Sequence, residues 1–193
     1  MAEGDAEAIN EQKLDAFARA FAEEAVLDSH PPTRAQTLER AAIFASEGLR
    51  GVDIQLRRLN SSEPEDDEWD FRTWMDMQFL IIALWALRQG GQLAARVDET
   101  CEVALNSFDE ACPHLSTMRH VFQHFDEYSV DHPNRRQRRP DTGDLVGRRA
   151  LEVGWWSTDE FYWLGGILNF DAARESAASL YASIRRARDD VTK

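Results

Sequence analysis

"FLIIALWAL", Phe79 to Leu87, is the most apolar run in the chain, and Asp76 and Arg88 bound it. It is far shorter than the ~20 residues a membrane span requires. Such a run is a helix buried in protein, and the chain around it should be built to bury it. The helix it belongs to is expected over about Trp69 to Gln89, apolar almost all round from Phe79 onward, at the centre of a bundle. The pair Gly90–Gly91 should break it, and the next helix should run from about Gln92 to Ala111 with Leu93, Val97, Cys101, Ala104, Leu105 and Phe108 inward.

Upstream, the periodicity predicts a helix over about Asn10 to Leu27 with Leu14, Phe17, Phe21 and Ala25 on its inner face. "HPPT", His30 to Thr33, ends it, because proline disfavours helix at the residue before it. Thr33 can cap a second helix carrying Leu38, Ala41, Ala42, Ala45, Leu49, Val52 and Leu56. "NSSEPEDDE", Asn60 to Glu68, is an acidic linker. Residues 1–9 read as a disordered tail. Pro113 suits the first turn of a fifth helix, which should end near Val130.

From Asp131 to Gly147 the sequence is polar, rich in Pro and Arg, and reads as a mobile loop. "ALEVGWWSTDEFYWLGGILNF", Ala150 to Phe170, reads as a β-hairpin with "STDE" as its turn. Asp171 can cap a last helix over about Ala172 to Arg188. The expectation is a mainly α protein: an up-and-down bundle of five to six helices in a single domain, 1–193, with a loop and β-hairpin inserted at 131–170 before the last helix.

The composition supports a folded chain: 193 residues, 43% hydrophobic, 30% charged, with six Trp and ten Phe. The net charge of −13 repels nucleic acid and anionic membrane, so any RNA contact needs a local basic patch. The acidic start, "MAEGDAEAIN", lacks the basic and apolar parts of a signal peptide. Cys101 and Cys112 fall on one expected helix, too far apart along its axis to bond. No membrane association and a reducing, cytoplasmic setting are expected.

Chemistry concentrates in "MRHVFQHFDEY", Met118 to Tyr128. On a helical wheel Leu115, Met118, Val121, Phe122, Phe125 and Tyr128 fill one arc of roughly 140°. Arg119, His120, Gln123, His124, Asp126 and Glu127 fill the other side. His120 and His124, four apart, could share a metal ion with Glu127 or Asp126 nearby. No other helix offers a further ligand, and the helix lacks the glutamate that follows the first histidine in metalloproteases. Read without function, the same face is an ordinary solvated one, with Arg119 pairing with Gln123 or Asp126 and His120 with Glu127.

Arg119 and His124, with four residues between them and a polar His120 after the arginine, resemble the Rx4–6H motif of the HEPN superfamily, helical proteins that include toxin and defence ribonucleases. The likeness covers this helix and, more loosely, the bundle up to about Val130; the 131–170 insertion has no counterpart in it. The resemblance implies a homodimer in which two motif helices face one cleft, RNA as substrate, an antitoxin protein as a partner, and no cofactor. Arg119 and His124 would be catalytic with His120 in support. About 140° separates Arg119 from His124 on one helix, which a composite site across a twofold axis would accommodate.

"NRRQRR" places Arg135, Arg136, Arg138 and Arg139 about ten residues beyond His124, where they could hold RNA phosphates or pair with the acidic linker. The aromatic cluster Trp155, Trp156, Phe161, Tyr162 and Trp163 should pack one hairpin face on the core and leave the other for a protein partner or for bases. There is no Gly-rich phosphate loop and no evident Cys–His or Ser–His–Asp arrangement. Three readings stay open: a metal-independent RNA endonuclease, a non-catalytic protein-interaction module, and a metal-binding bundle.

Overall fold

The computed structural model describes residues 31–61 and 69–192. The helix expected at Asn10 to Leu27, the tail at 1–9 and most of the acidic linker lie outside the described residues. Within them the order is α1 (Arg34–Leu59), α2 (Trp69–Ala95), α3 (Glu99–Ala111), α4 (Leu115–Gln123), α5 (Phe125–Ser129), α6 (Arg148–Leu151), β1 (Gly154–Trp156), β2 (Glu160–Trp163), β3 (Gly166–Asn169) and α7 (Phe170–Val191). The protein is mainly α, with a small antiparallel sheet before its last helix, as the sequence pattern requires.

Helix α1 begins where expected. Thr33 and Gln36 form a reciprocal capping box, the hydroxyl accepting from the Gln36 N–H and the Gln36 side chain accepting from the Thr33 N–H. α1 and α2 then pack antiparallel at close range. A Cβ on Gly48 would lie 2.5 Å from the Leu87 nitrogen, one on Gly51 would lie 2.8 Å from the Ala83 Cβ, and one on Gly90 would lie 2.9 Å from the Ala41 carbonyl oxygen. This corrects the expected break at Gly90–Gly91. The glycines cost helix propensity, but backbone contact with α1 and the burial of Leu84 and Leu87 carry α2 through to Ala95.

The chain turns instead at Arg96–Asp98. Asp98 caps α3, accepting from the N–H groups of Thr100 and Cys101 and from the Thr100 hydroxyl, and it pairs with Arg34 at 2.7 Å. Those hydrogen bonds, led by that of Thr100, hold its carboxyl down to about 2. α7 lies across α1 and α3, and α4 lies on α2. Leu80, Ile81, Leu84, Leu87, Val52, Leu180 and Ile184 are fully buried in the shared core. Cys101 and Cys112 are both free and buried, and burial pushes each thiol up to about 11.

The expected hairpin is a three-stranded meander, β1-β2-β3. "STDE" does join β1 to β2, with Ser157 Oγ accepting from the Asp159 and Glu160 N–H groups. A second turn, Leu164–Gly165, escapes the sequence reading because it lacks the Asn-Gly or Asp-Gly signature of a tight hairpin. Both of its residues have positive φ, 57° and 81°, and burial of the Leu164 side chain holds the unfavourable conformation. Trp156, Phe161 and Leu168 align on the core face, where Trp74 meets Phe161 and Trp163 edge-on at 5.7 and 5.5 Å. Trp155, Tyr162 and Ile167 align on the outer face, with the Trp155 and Tyr162 rings stacked at 5.8 Å. Asn169, not Asp171, caps α7, accepting from the Ala172 N–H.

The segment expected to be a loose loop is cross-tied. The Val146 N–H donates to the Gln137 carbonyl, the Gly143 N–H to the Arg139 carbonyl, and the Gln137 N–H to the hydroxyl of buried Tyr128. Arg135, Arg138 and Arg139 bond within the segment.

Candidate functional site

The motif helix is not continuous to Val130. α4 stops at Gln123, His124 adopts φ −114° and ψ 35°, and the short α5 follows. The break changes what the wheel implied. Phe125, expected inward, is 42% exposed, whereas Tyr128 is fully buried against the Gln137 backbone. His124 lies beside His120, ring centroids 4.7 Å apart, as their spacing of four implies, and Tyr128 presents its ring edge-on to His120 at 6.1 Å.

The pairings differ from those expected of a plain solvated face. Glu127 lies 3.4 Å from His124 Nδ1, so the carboxylate belongs to His124 and not to His120. With Nδ1 turned to Glu127, the Nε2 edge of this part-exposed ring is left to other partners. Burial first, then the neighbouring His124 and Arg119, displaces the His120 pKa downward, favouring a neutral imidazole.

Arg119 pairs with neither Gln123 nor Asp126. Its guanidinium sits over the indole of Trp85, 4.9 Å from the ring centroid. Arg88, which is held to Asp109 by two bonds of 2.7 and 2.6 Å, lies over the same ring at 5.1 Å. Trp85 is therefore a platform that fixes Arg119 while leaving its donors unspent: among the described residues Arg119 makes no hydrogen bond or ion pair. Trp85, Arg119, Phe122, Ile82 and Gln89 line a groove of about 310 Å³. The sequence reading missed Trp85, because a tryptophan inside "FLIIALWAL" reads as core and nothing local marks it as the arginine's seat.

The other basic candidates divide. Arg135 donates to the Val146 carbonyl at 2.6 Å and pairs with Asp131 at 2.8 Å. Arg138 donates to the Gly143 carbonyl at 2.8 Å. Arg139 forms two bonds to Asp141, which also accepts from the Tyr162 hydroxyl, and Arg139 holds the Asp141 carboxyl down to about 2. These three guanidiniums tie the loop together. Arg136 and Arg149 are exposed and make no ion pair among the described residues.

Among the described residues no group of three or more His, Cys, Asp or Glu side chains is placed to hold a metal ion. No described helix is long and apolar enough to cross a membrane. In comparisons with protein-family models, curated proteins and solved structures, the chain matches none.

Proposed function

We propose that the protein is a metal-independent RNA endonuclease that works as a homodimer in a toxin or defence system, an antitoxin protein restraining it. The observation that carries this reading is Arg119, anchored on Trp85 with its donors unspent, one residue before the adjoining His120–His124 pair. Cleavage at an RNA 2′-OH needs a proton acceptor and a fixed positive charge beside the phosphorane oxygens. His124, oriented through Nδ1 by Glu127, serves as the acceptor. Arg119 supplies a planar, permanently charged donor set. His120, kept neutral by its surroundings, orients His124 or the substrate.

Trp85 seats Arg119 at the α2 groove. A second copy would bring Arg119 of one chain to His124 of the other, so that the two sets share one cleft. Phe79 and Ile82, 46% and 43% exposed along α2 on the Arg119 side, are apolar surface for that contact. Arg136 and Arg149 are exposed cations available to phosphate.

The test is cleavage of single-stranded RNA in the presence of a chelator. His124→Ala and Arg119→Ala should each lower the rate by a factor of about 100 or more, with the melting temperature nearly unchanged and DNA of the same sequence left intact. Undiminished cleavage in both variants refutes the assignment.

A second reading, a protein-interaction module without catalysis, is carried by the same exposed apolar residues of α2 and by the outer-face Trp155–Tyr162 stack. It expects an inert chain whose partner binding weakens on Trp155→Ala or Ile82→Ser.

A further inference from the structure

The histidine pair of the motif helix has the spacing of half a metal site. An imidazole nitrogen binds a zinc-class ion at about 2 Å, so two rings on one tetrahedral ion have centroids about 5 Å apart. The His120 and His124 rings lie 4.7 Å apart, with 38° between their planes. The His124 side chain is 39% exposed and His120 is half-buried, so neither ring is closed off from solvent.

Glu127 adds the outer partner that metal-bound histidines ordinarily carry. Its carboxylate lies 3.4 Å from His124 Nδ1, where it favours the tautomer with hydrogen on Nδ1 and leaves the Nε2 lone pair for an ion. Among the described residues no third His, Cys, Asp or Glu is placed to complete the set. The site is therefore incomplete in one copy. Two motif helices facing one cleft would bring two such pairs together, four imidazoles around one point. Imidazole suits zinc, copper and nickel, whereas magnesium and calcium take oxygen ligands. The net charge of −13 draws divalent cations to the chain, and the neighbouring cation, Arg119, is seated on Trp85.

We infer that His120 and His124 of two copies form a shared site for a zinc-class divalent ion that closes the dimer. The inference rests on the dimer proposed above. It also names a regulator of that same site. The imidazole lone pair that would accept the 2′-OH proton is the one the ion occupies, and it cannot do both. Zinc is thus an inhibitor of cleavage and not a cofactor for it.

The test follows the mass of the full, chelator-stripped chain by sedimentation as zinc chloride is added. Zinc should saturate at one ion per two chains and lower the monomer–dimer midpoint by a factor of about ten or more. Magnesium chloride at the same concentration should do neither. His120→Ala and His124→Ala, each checked for native circular dichroism, should abolish the shift, and Glu127→Ala should weaken zinc about tenfold or more. Cobalt in place of zinc should give the visible absorption of a tetrahedral nitrogen site. Zinc that leaves the mass unchanged, binds one per chain without pairing, or still binds the double histidine variant overturns the proposal. RNA cleavage read alongside separates the two readings. Cleavage that zinc does not inhibit overturns the metal site alone; zinc pairing in a chain that never cuts RNA upholds it and removes the ribonuclease.

Discussion

Replacing Gly48 with alanine tests the close approach on which the bundle is built. In an isolated helix the change stabilises by about 1 kcal/mol, because alanine loses less backbone freedom. In the folded protein the new Cβ would lie 2.5 Å from the Leu87 nitrogen and 2.8 Å from its Cα and Cβ. Ordinary contact between such atoms begins near ~3.5 Å, so the two helices must separate by about 1 Å along this stretch. That separation loosens Ala45 and Val52 against Leu84 and Leu87, all fully buried. Overpacking of this kind costs about 1–3 kcal/mol, more when backbone is what must move. The expected net result is destabilisation by about 1–3 kcal/mol, or a fall of roughly 3–10 °C in melting temperature for a chain of this size. Urea unfolding should show a lower midpoint with unchanged slope. Gly51→Ala, whose Cβ meets only the Ala83 Cβ at 2.8 Å, should be milder. A Gly48→Ala protein more stable than the parent would refute the reasoning, since propensity would then outweigh contact.

Asp98→Ala removes the α3 cap and should destabilise by about 0.5–2 kcal/mol at neutral pH. Because the folded-state value of about 2 lies below the ordinary 3.8, this contribution is present above pH 3.8 and is lost as the pH falls toward 2. Parent and variant should therefore converge in acid, and a constant difference across that window contradicts the assignment. Cys101 and Cys112, buried and pushed up to about 11, should not react with a disulfide reagent at pH 8 until denaturant is added; rapid labelling of the native chain would show that the core is open there. Arg139→Ala should accelerate amide exchange and proteolysis around Asp141 and the β2–β3 turn, whereas Arg136→Ala should leave both unchanged. Equal effects would mean that the arginine ties do not hold the loop.

Some of this protein is written locally and can be read locally. The α1 start at Thr33 follows from a hydroxyl and an amide three residues apart, whereas Pro113, expected in the first turn of the motif helix, lies ahead of its His114 cap position. The apolar stripe of α4 was likewise legible, and Met118 and Val121 lie buried on it. Gly90–Gly91 was misread because a glycine that breaks a helix and one that admits a neighbouring helix are the same residue; only the facing Ala41 and Ala45 distinguish them. The arginine-rich stretch was legible as charge, yet its partners, the Val146 and Gly143 carbonyls and Asp141, become available only once the loop closes.

The candidate site divides in the same way. Periodicity alone put Arg119, His120 and His124 on one polar face, because the helical repeat is a property of the backbone. The sequence also determined a mainly helical chain with the Phe79 to Leu87 run in its central helix, of which Leu80, Ile81, Leu84 and Leu87 are buried, whereas Phe79 and Ile82, expected inside, lie exposed. Tertiary structure decided the rest: that the helix breaks at His124, that Glu127 turns to His124, and that Trp85 seats Arg119. Trp85 and Arg119 are far apart in the chain, and the energy of such a contact depends on the packing of α2 against α4, which no local pattern encodes.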